Sequence, residues 1–405
     1  MTRLGLVAGE PSGDLIAAQL LAGLQVREPD LQVDGIGGPA LANAGMNLWH
    51  PMAALSVFGY VDALKSLPRL IRIYNDVKNR WLRDHPALFL GVDAPDFNLR
   101  LEEKLRADGI QTVQFVSPSI WAWRYERIHQ IRRAVSHMLV LFPFEVDLYE
   151  KEGVPVTYVG HPLADIIPET VDVQMMRQSL GLNEAVAYSE DPVVAIMPGS
   201  RTSEIKLLAP EFLQAAQRFA KDYPNAQFLV PMVNQERRAQ FDALLAQYPV
   251  PNLHILQADP NAPQAGRDEQ TWPMSWKAMA ACDVALVASG TATLEAALFK
   301  RPMVISYRLS PMMRRLMAFK SGQEGPSVPW VGLPNILSSE FVVPELLQDD
   351  ATAENLANAL LELWNDATRK AKIQQQFIAL HHQLRCNTAQ KAAQVIYDLL
   401  QNETP

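Results

Sequence analysis

Short apolar runs alternate with stretches of helical spacing along most of the chain. Runs at 3–8, 32–36, 87–92, 112–116, 137–141 and 155–159 have strand length, and each ends in turn residues. A second series lies at 193–197, 226–231, 253–257, 284–288 and 302–307. Between them, apolar residues recur at helical spacing, as in Leu15, Ala18, Leu21 and Leu24. Strands alternating with helices predict α/β architecture with parallel sheets. The stretch 165–192 is polar and ends in Ser189-Glu190-Asp191-Pro192, which places a domain boundary there. Three amphipathic helices are expected at 352–363, 373–380 and 389–400. The expected domains are 1–165 and 166–370, followed by C-terminal helices over 371–405.

At 405 residues the chain suits two domains rather than one core. A hydrophobic content of 48% with 20% charged residues describes a globular protein. The net charge of −8 argues against nucleic acid as a partner. Cys282 and Cys386 offer neither metal-ligand spacing nor a disulfide framework, which fits a reducing, cytoplasmic setting. The first residues lack the apolar core of a signal peptide, and no run reaches the roughly 18 apolar residues of a membrane span.

The candidate chemistry lies where strands end. At 284–298 an apolar strand passes through Ser289-Gly290-Thr291 into a run of strong helix formers that carries Glu295. Such a turn reads as an anion site with Glu295 available to ligand hydroxyls, or as an ordinary junction capped by Ser289 or Thr291. Pro198-Gly199-Ser200-Arg201 is a second anion signature, in which Gly199 and Ser200 offer backbone donors and Arg201 a planar fork. Asp93 closes the strand before Ala94-Pro95-Asp96-Phe97-Asn98; it reads as a general base at a strand end or as a turn former. Trp121 and Trp123 follow another strand and read as a sugar or lipid pocket wall, or as a packed corner. Gly9 to Asp14, with Ser12 and Gly13, is a polar turn in which Asp14 reads as an N-cap rather than a catalyst. Val57, Val61, Leu64, Leu67, Ile71 and Tyr74 form one stripe flanked by Lys65, Arg69 and Arg72. That stripe suits an anionic membrane surface or a core-packed helix with a solvated basic face. Asn335 reads as a ligand contact or a turn cap. No Asp-x-Asp triplet occurs, so no metal and no cofactor are expected.

The motifs Gly9-Glu10-Pro11-Ser12-Gly13-Asp14, Gly91-Val92-Asp93-Ala94-Pro95-Asp96-Phe97, Val116-Ser117-Pro118-Ser119-Ile120-Trp121-Ala122-Trp123, Pro198-Gly199-Ser200-Arg201 with Glu204, Ala288-Ser289-Gly290-Thr291-Ala292-Thr293-Leu294-Glu295, Leu333-Pro334-Asn335 and Leu384-Arg385-Cys386-Asn387 run in order along nearly the whole chain. Together they resemble the lipid-A-disaccharide synthases, glycosyltransferase family 19. The resemblance implies a GT-B fold, two Rossmann-like domains facing each other across a cleft. It implies inverting transfer of 2,3-diacylglucosamine from its UDP derivative to the 6-hydroxyl of 2,3-diacylglucosamine 1-phosphate. Asp93 matches the family's base and Arg201 its diphosphate ligand. Ser289, Gly290 and Thr291 would serve the diphosphate, Glu295 the ribose and Asn335 the nucleotide-sugar region. Ser12, Gly13, Trp121 and Trp123 would line the acceptor side. The resemblance also favours the membrane reading of Val61, Leu64 and Leu67, at the inner face of the cytoplasmic membrane, because both substrates are acylated. For 371–405 it leaves packing on the first domain or exchange in a homodimer. Pro11 stands where the family commonly has Ala, and the loop at 259–272 is longer than the family's. Two other readings compete: a different UDP-sugar enzyme of this fold, such as an epimerase, and a non-catalytic membrane adaptor.

Overall fold

A computed structural model of the chain describes residues 2–55, 60–182, 184–257, 269–310, 314 and 329–401. It contains two compact units, one of Met1–Asp165 with Leu384–Pro405 and one of Ile166–Gln383. The expected break at 370 falls inside the helix Ala367–Leu384, and the chain changes unit only at that helix's end. Ile373, Phe377 and Leu380 are buried along that helix.

The first unit holds a parallel sheet of β1 (Arg3–Ala8), β2 (Gln32–Gly37), β3 (Asn47–Pro51), β4 (Leu88–Val92), β5 (Gln111–Phe115), β6 (His137–Val140) and β7 (Val156–Tyr158). Their spatial order is β3-β2-β1-β4-β5-β6-β7. All five residues of β4 are buried, as expected of a central parallel strand covered on both faces. The helix Pro11–Arg27 covers one face through Ile16, Ala17, Leu20, Leu21 and Leu24. The C-terminal helix Thr388–Gln401 packs on it through Ala392, Ala393, Ile396 and Leu400. Gly23 belongs to that contact, since a Cβ there would come within 3.1 Å of Ala393.

The second unit repeats the plan with β8 (Val193–Met197), β9 (Gln227–Met232), β10 (Leu253–Gln257), β11 (Val284–Ala288), β12 (Met303–Tyr307) and β13 (Glu345–Leu347). The order is β10-β9-β8-β11-β12-β13, again with parallel pairs. Every residue of β8 and β11 is buried. In each sheet the strand order reverses at one place, between β1 and β4 and between β8 and β11. Ligands of open parallel sheets bind beyond the carboxyl ends of the strands at such a reversal. Two of the predicted turns flank each one.

Candidate active site

In the second unit the turns after β8 and β11 open onto a pocket of about 470 Å³. Gly199, Ser200, Arg201, Ser289, Gly290, Thr291 and Glu295 all line it. Gly199 has φ +104°, and a Cβ there would collide with the Glu204 carboxylate. Without that side chain, Glu204 folds back and accepts from the backbone N–H of Ser200 at 2.9 Å and of Arg201 at 3.1 Å. The Ser200 N–H expected to serve a ligand is therefore taken as a cap of the helix Thr202–Asp222. What this turn offers instead is the Arg201 guanidinium, 80% exposed and ion-paired to Glu204 at 3.5 Å.

The turn after β11 differs. Gly290 starts the helix Thr291–Leu298 with no side-chain cap, and Gly290, Thr291 and Ala292 at its uncapped end line the pocket. Ser289 is held in place, its N–H donating to Ser306 and its hydroxyl to Val331. Glu295 reaches the pocket one turn on; burial raises its pKa, and a hydrogen bond with Trp276 opposes the rise. Pro231 and Met232 at the end of β9 with Val233 just beyond it, and Pro273, Met274 and Ser275 at the start of the helix Met274–Ala281, also line it. The sequence reading gave these six no role, although 231–233 end a strand beside β8 and strand order would have singled out those three.

Asn335 is elsewhere. Its side chain is fully buried, with Nδ2 donating to Val343 O and Glu345 Oε1, and Oδ1 accepting from the N–H of Val342 and Val343. Two donors and two lone pairs are all an amide has, so nothing remains for a ligand. The expected nucleotide-sugar contact is corrected to a loop brace.

In the first unit Asp93 and Ala94 leave β4 with φ of +54° and +44°, a conformation that non-glycine residues rarely adopt. The Ala94 N–H donates to Asp93 Oδ1 at 2.9 Å. Burial raises the Asp93 pKa, and that hydrogen bond partly offsets the rise. The turn after β1 lies against it. A Cβ on Gly9 would sit 2.5 Å from the Ala94 Cβ, and one on Gly13 would sit 3.6 Å from the Asp93 Cβ. Ser12 is exposed beside Gly13. Asp14 caps a different helix from the one expected: it is buried inside Pro11–Arg27 and accepts from Gly38 and Ala40 N–H at the start of Pro39–Asn43.

Trp121 packs edge-on against Phe144 and, with Ser117, hydrogen-bonds Glu145. Glu145 is buried, and its pKa is raised to about 7, chiefly by that burial. Trp123 is half-buried in the same segment. On the helix Tyr60–Asp84 the described buried face is Ile73, Val77 and Trp81, whereas Leu67 and Ile71 are 51% and 52% exposed. Of the expected stripe, Leu67 and Ile71 face away from the packed side, which fits the membrane alternative there, whereas Tyr74 packs against the core. The side chains of Val61 and Leu64, residue 57, and the loop over 258–268 lie outside the described residues. Among the described residues no group of three or more His, Cys, Asp or Glu is placed to hold a metal, and no helix is long and apolar enough to cross a membrane.

A family model described as lipid-A-disaccharide synthetase matches residues 4–396. The lipid-A-disaccharide synthase of Bordetella petrii is 59% identical over 396 residues, covering 98% of each chain. That of Dechloromonas aromatica is 45% identical over 399 residues, with the same coverage. This chain belongs to the lipid-A-disaccharide synthase family. It is accordingly a glycosyltransferase, and the epimerase and adaptor readings fall away. Solved structures with the same two-unit GT-B fold include Anabaena HepE in complex with UDP and glucose, at a TM-score of 0.54 and 16% identity, covering 99% of this chain and all of that one. The UDP-GlcNAc 2-epimerase of Neisseria meningitidis bound to UDP-GlcNAc gives 0.56 and 13% over the full length of both chains. These two are likenesses of fold. In this chain each candidate site sits at the sheet reversal of its own unit.

Proposed function

We propose that the chain transfers 2,3-diacylglucosamine from UDP-2,3-diacylglucosamine to the 6-hydroxyl of 2,3-diacylglucosamine 1-phosphate, releasing UDP and the β-1,6 disaccharide 1-phosphate. The observation that carries the site assignment is the pocket at the β8/β11 reversal, where seven residues singled out from sequence converge. Asp93 takes the proton from the acceptor hydroxyl as its oxygen attacks the anomeric carbon. The diphosphate departs from the opposite face, which inverts that centre. Arg201 and the uncapped N-terminus of Thr291–Leu298 neutralise the charge developing on it. Glu295 accepts from ribose hydroxyls. Electrostatic neutralisation by protein groups makes the transfer metal-independent. The exposed Leu67 and Ile71, beside Arg69 and Arg72, meet the anionic inner face of the cytoplasmic membrane, where both acylated substrates reside. A homodimer exchanging its C-terminal segment would make the Thr388–Gln401 contacts between copies.

The test is a two-substrate assay with defined acyl chains, run in EDTA and read by product mass, on the native chain and on Asp93→Asn. The native chain forms the disaccharide 1-phosphate with EDTA present. The variant loses transfer by about 10²-fold or more while binding UDP normally. A near-normal rate in the variant removes Asp93 from the base role. EDTA inhibition reversed by Mg²⁺ overturns the metal-free mechanism.

A further inference from the structure

Beneath the strained Asp93 turn lies a buried polar cluster that the mechanism above does not use. Gln114, on β5, has its Nε2 within reach of three carbonyls: Asp93 at 3.1 Å, Val116 at 3.2 Å and Phe115 at 3.3 Å. These belong to the ends of two adjacent strands, and Val116 too leaves its strand at positive φ, +74°, which is exceptional for a β-branched residue. Asn98 Nδ2 adds a bond to the Asp93 carbonyl at 2.8 Å. Three carbonyls on one side fix the amide orientation of Gln114, because the flipped amide would set oxygen against oxygen. Gln114 Oε1 must then point away from them, toward Gly91. There it meets Glu102. A Cβ on Gly91 would clash with Glu102 Oε1 and stand 2.6 Å from Gln114 Oε1, so both oxygens converge on the space that glycine leaves. Glu102 is fully buried, and neither of its oxygens nor Gln114 Oε1 has a protein hydrogen-bond partner.

Two facing acceptors repel unless one carries a proton, and a carboxyl group is the one that can. We infer that Glu102, as the neutral acid, donates to Gln114 Oε1, and that this pair is a positioning relay holding the left-handed turn that presents Asp93. The inference rests on the reading of Asp93 as the base. Burial without a neighbouring cation also drives the Glu102 pKa well above the usual carboxylate range. Substitution at Gly91 would push the carboxyl out of the relay, which gives a reason for glycine in the middle of a buried strand.

Glu102→Gln keeps a donor for Gln114, whereas Glu102→Leu fills the space without one. Glu102→Gln is expected to keep kcat within about twofold, and Glu102→Leu to lower kcat by about tenfold or more with little change in KM and unchanged UDP affinity. In the native chain with 13C-labelled glutamate, infrared spectra at neutral pH should show a protonated-carboxyl band that Glu102→Gln removes. This band is read in the folded native protein, so the inference stays testable if Glu102→Leu does not fold. Native kcat in a folded Glu102→Leu, or the absence of that band, overturns the relay. If Asp93→Asn is inactive while Glu102→Leu is normal, the relay alone fails; if Asp93→Asn is active, the base assignment fails whatever Glu102 does.

Discussion

Arg201 stands with its guanidinium in solvent while its own backbone N–H is held by Glu204. Its side chain is thus free to turn onto a diphosphate at the cost of one exposed ion pair, which is worth little. Charge-assisted hydrogen bonds contribute about 1.5–3 kcal/mol, so Arg201→Ala should weaken UDP binding by roughly 10- to 100-fold in calorimetry. Unchanged affinity would remove Arg201 from the diphosphate site. Glu145 makes a different prediction. Its pKa of about 7 in the folded chain exceeds the ordinary 4.5, so the folded state keeps a proton that the unfolded state gives up between those values. Stability therefore falls as pH rises through that window, by on the order of 3 kcal/mol from this one group. Glu145→Gln should flatten the slope of unfolding free energy against pH between 4.5 and 7, and an unaltered slope would show the carboxyl ionised throughout. The two residues also mark what a sequence discloses at this scale. Arg201 was legible because its turn is local: strand, proline, glycine, helix. The engagement of the Ser200 N–H depends on Glu204 folding back over Gly199, and Asn335 depends on Val342, Val343 and Glu345. Those partners come from the folded chain, and no spacing rule announces them.

At the scale of elements, the apolar runs located the central strands of both sheets because parallel strands buried on two faces are nearly continuous in hydrophobic residues. The two strands passed over are β3 and β13, each at the outer edge of its sheet with no fully buried residue. Edge strands are solvated on one side and carry His50, Asn47 and Glu345 without loss, so their hydrophobic pattern fades. The helix Tyr60–Asp84 was legible in part. Its packed face is Ile73, Val77 and Trp81, with Trp81 against Trp49 and Phe89, and not the stripe through Leu67 and Ile71. Ile71 and Ile73 lie two residues apart, about 200° around the same helix, so an apolar residue at each puts one on the packed face and one on the exposed face. Exposure of Leu67 and Ile71 makes the membrane reading separable from folding. Leu67→Ser with Ile71→Ser should leave the melting temperature within about 2 °C, because surface changes cost about 0.5 kcal/mol or less. The same double change should reduce sedimentation with anionic-lipid vesicles several-fold. Undiminished sedimentation would assign these residues no part in membrane contact.

At the scale of the whole molecule, the chain leaves its first unit after Asp165 and re-enters it at Leu384. Exit and re-entry are stitched together inside that unit. The His161 N–H donates to the Leu384 carbonyl at 2.9 Å, and Gly160, at φ +88°, lies so close to Cys386 that a Cβ would sit 2.5 Å from it. The Asp165 carboxylate accepts from the N–H of Asn387 at 2.9 Å and of Thr388 at 2.7 Å. It therefore caps the C-terminal helix from 222 residues away. That helix in turn covers Leu20, Leu21 and Leu24 with Ile396 and Leu400, side chains whose burial is worth about 1.5–3 kcal/mol each. One carboxylate thus sets the start of an element on which much of the first core depends. Replacing a capping carboxylate by Ala costs about 0.5–2 kcal/mol, and two N–H groups lose their acceptor here. Asp165→Ala should lower the melting transition of the first unit by several degrees. The transition that UDP shifts upward, which belongs to the unit holding the pocket, should stay where it is, since ligand binding stabilises only the state that binds it. Scanning calorimetry with and without UDP distinguishes the two. A uniform fall of both transitions would mean that the capping contact serves the chain as a single cooperative body rather than the first unit alone.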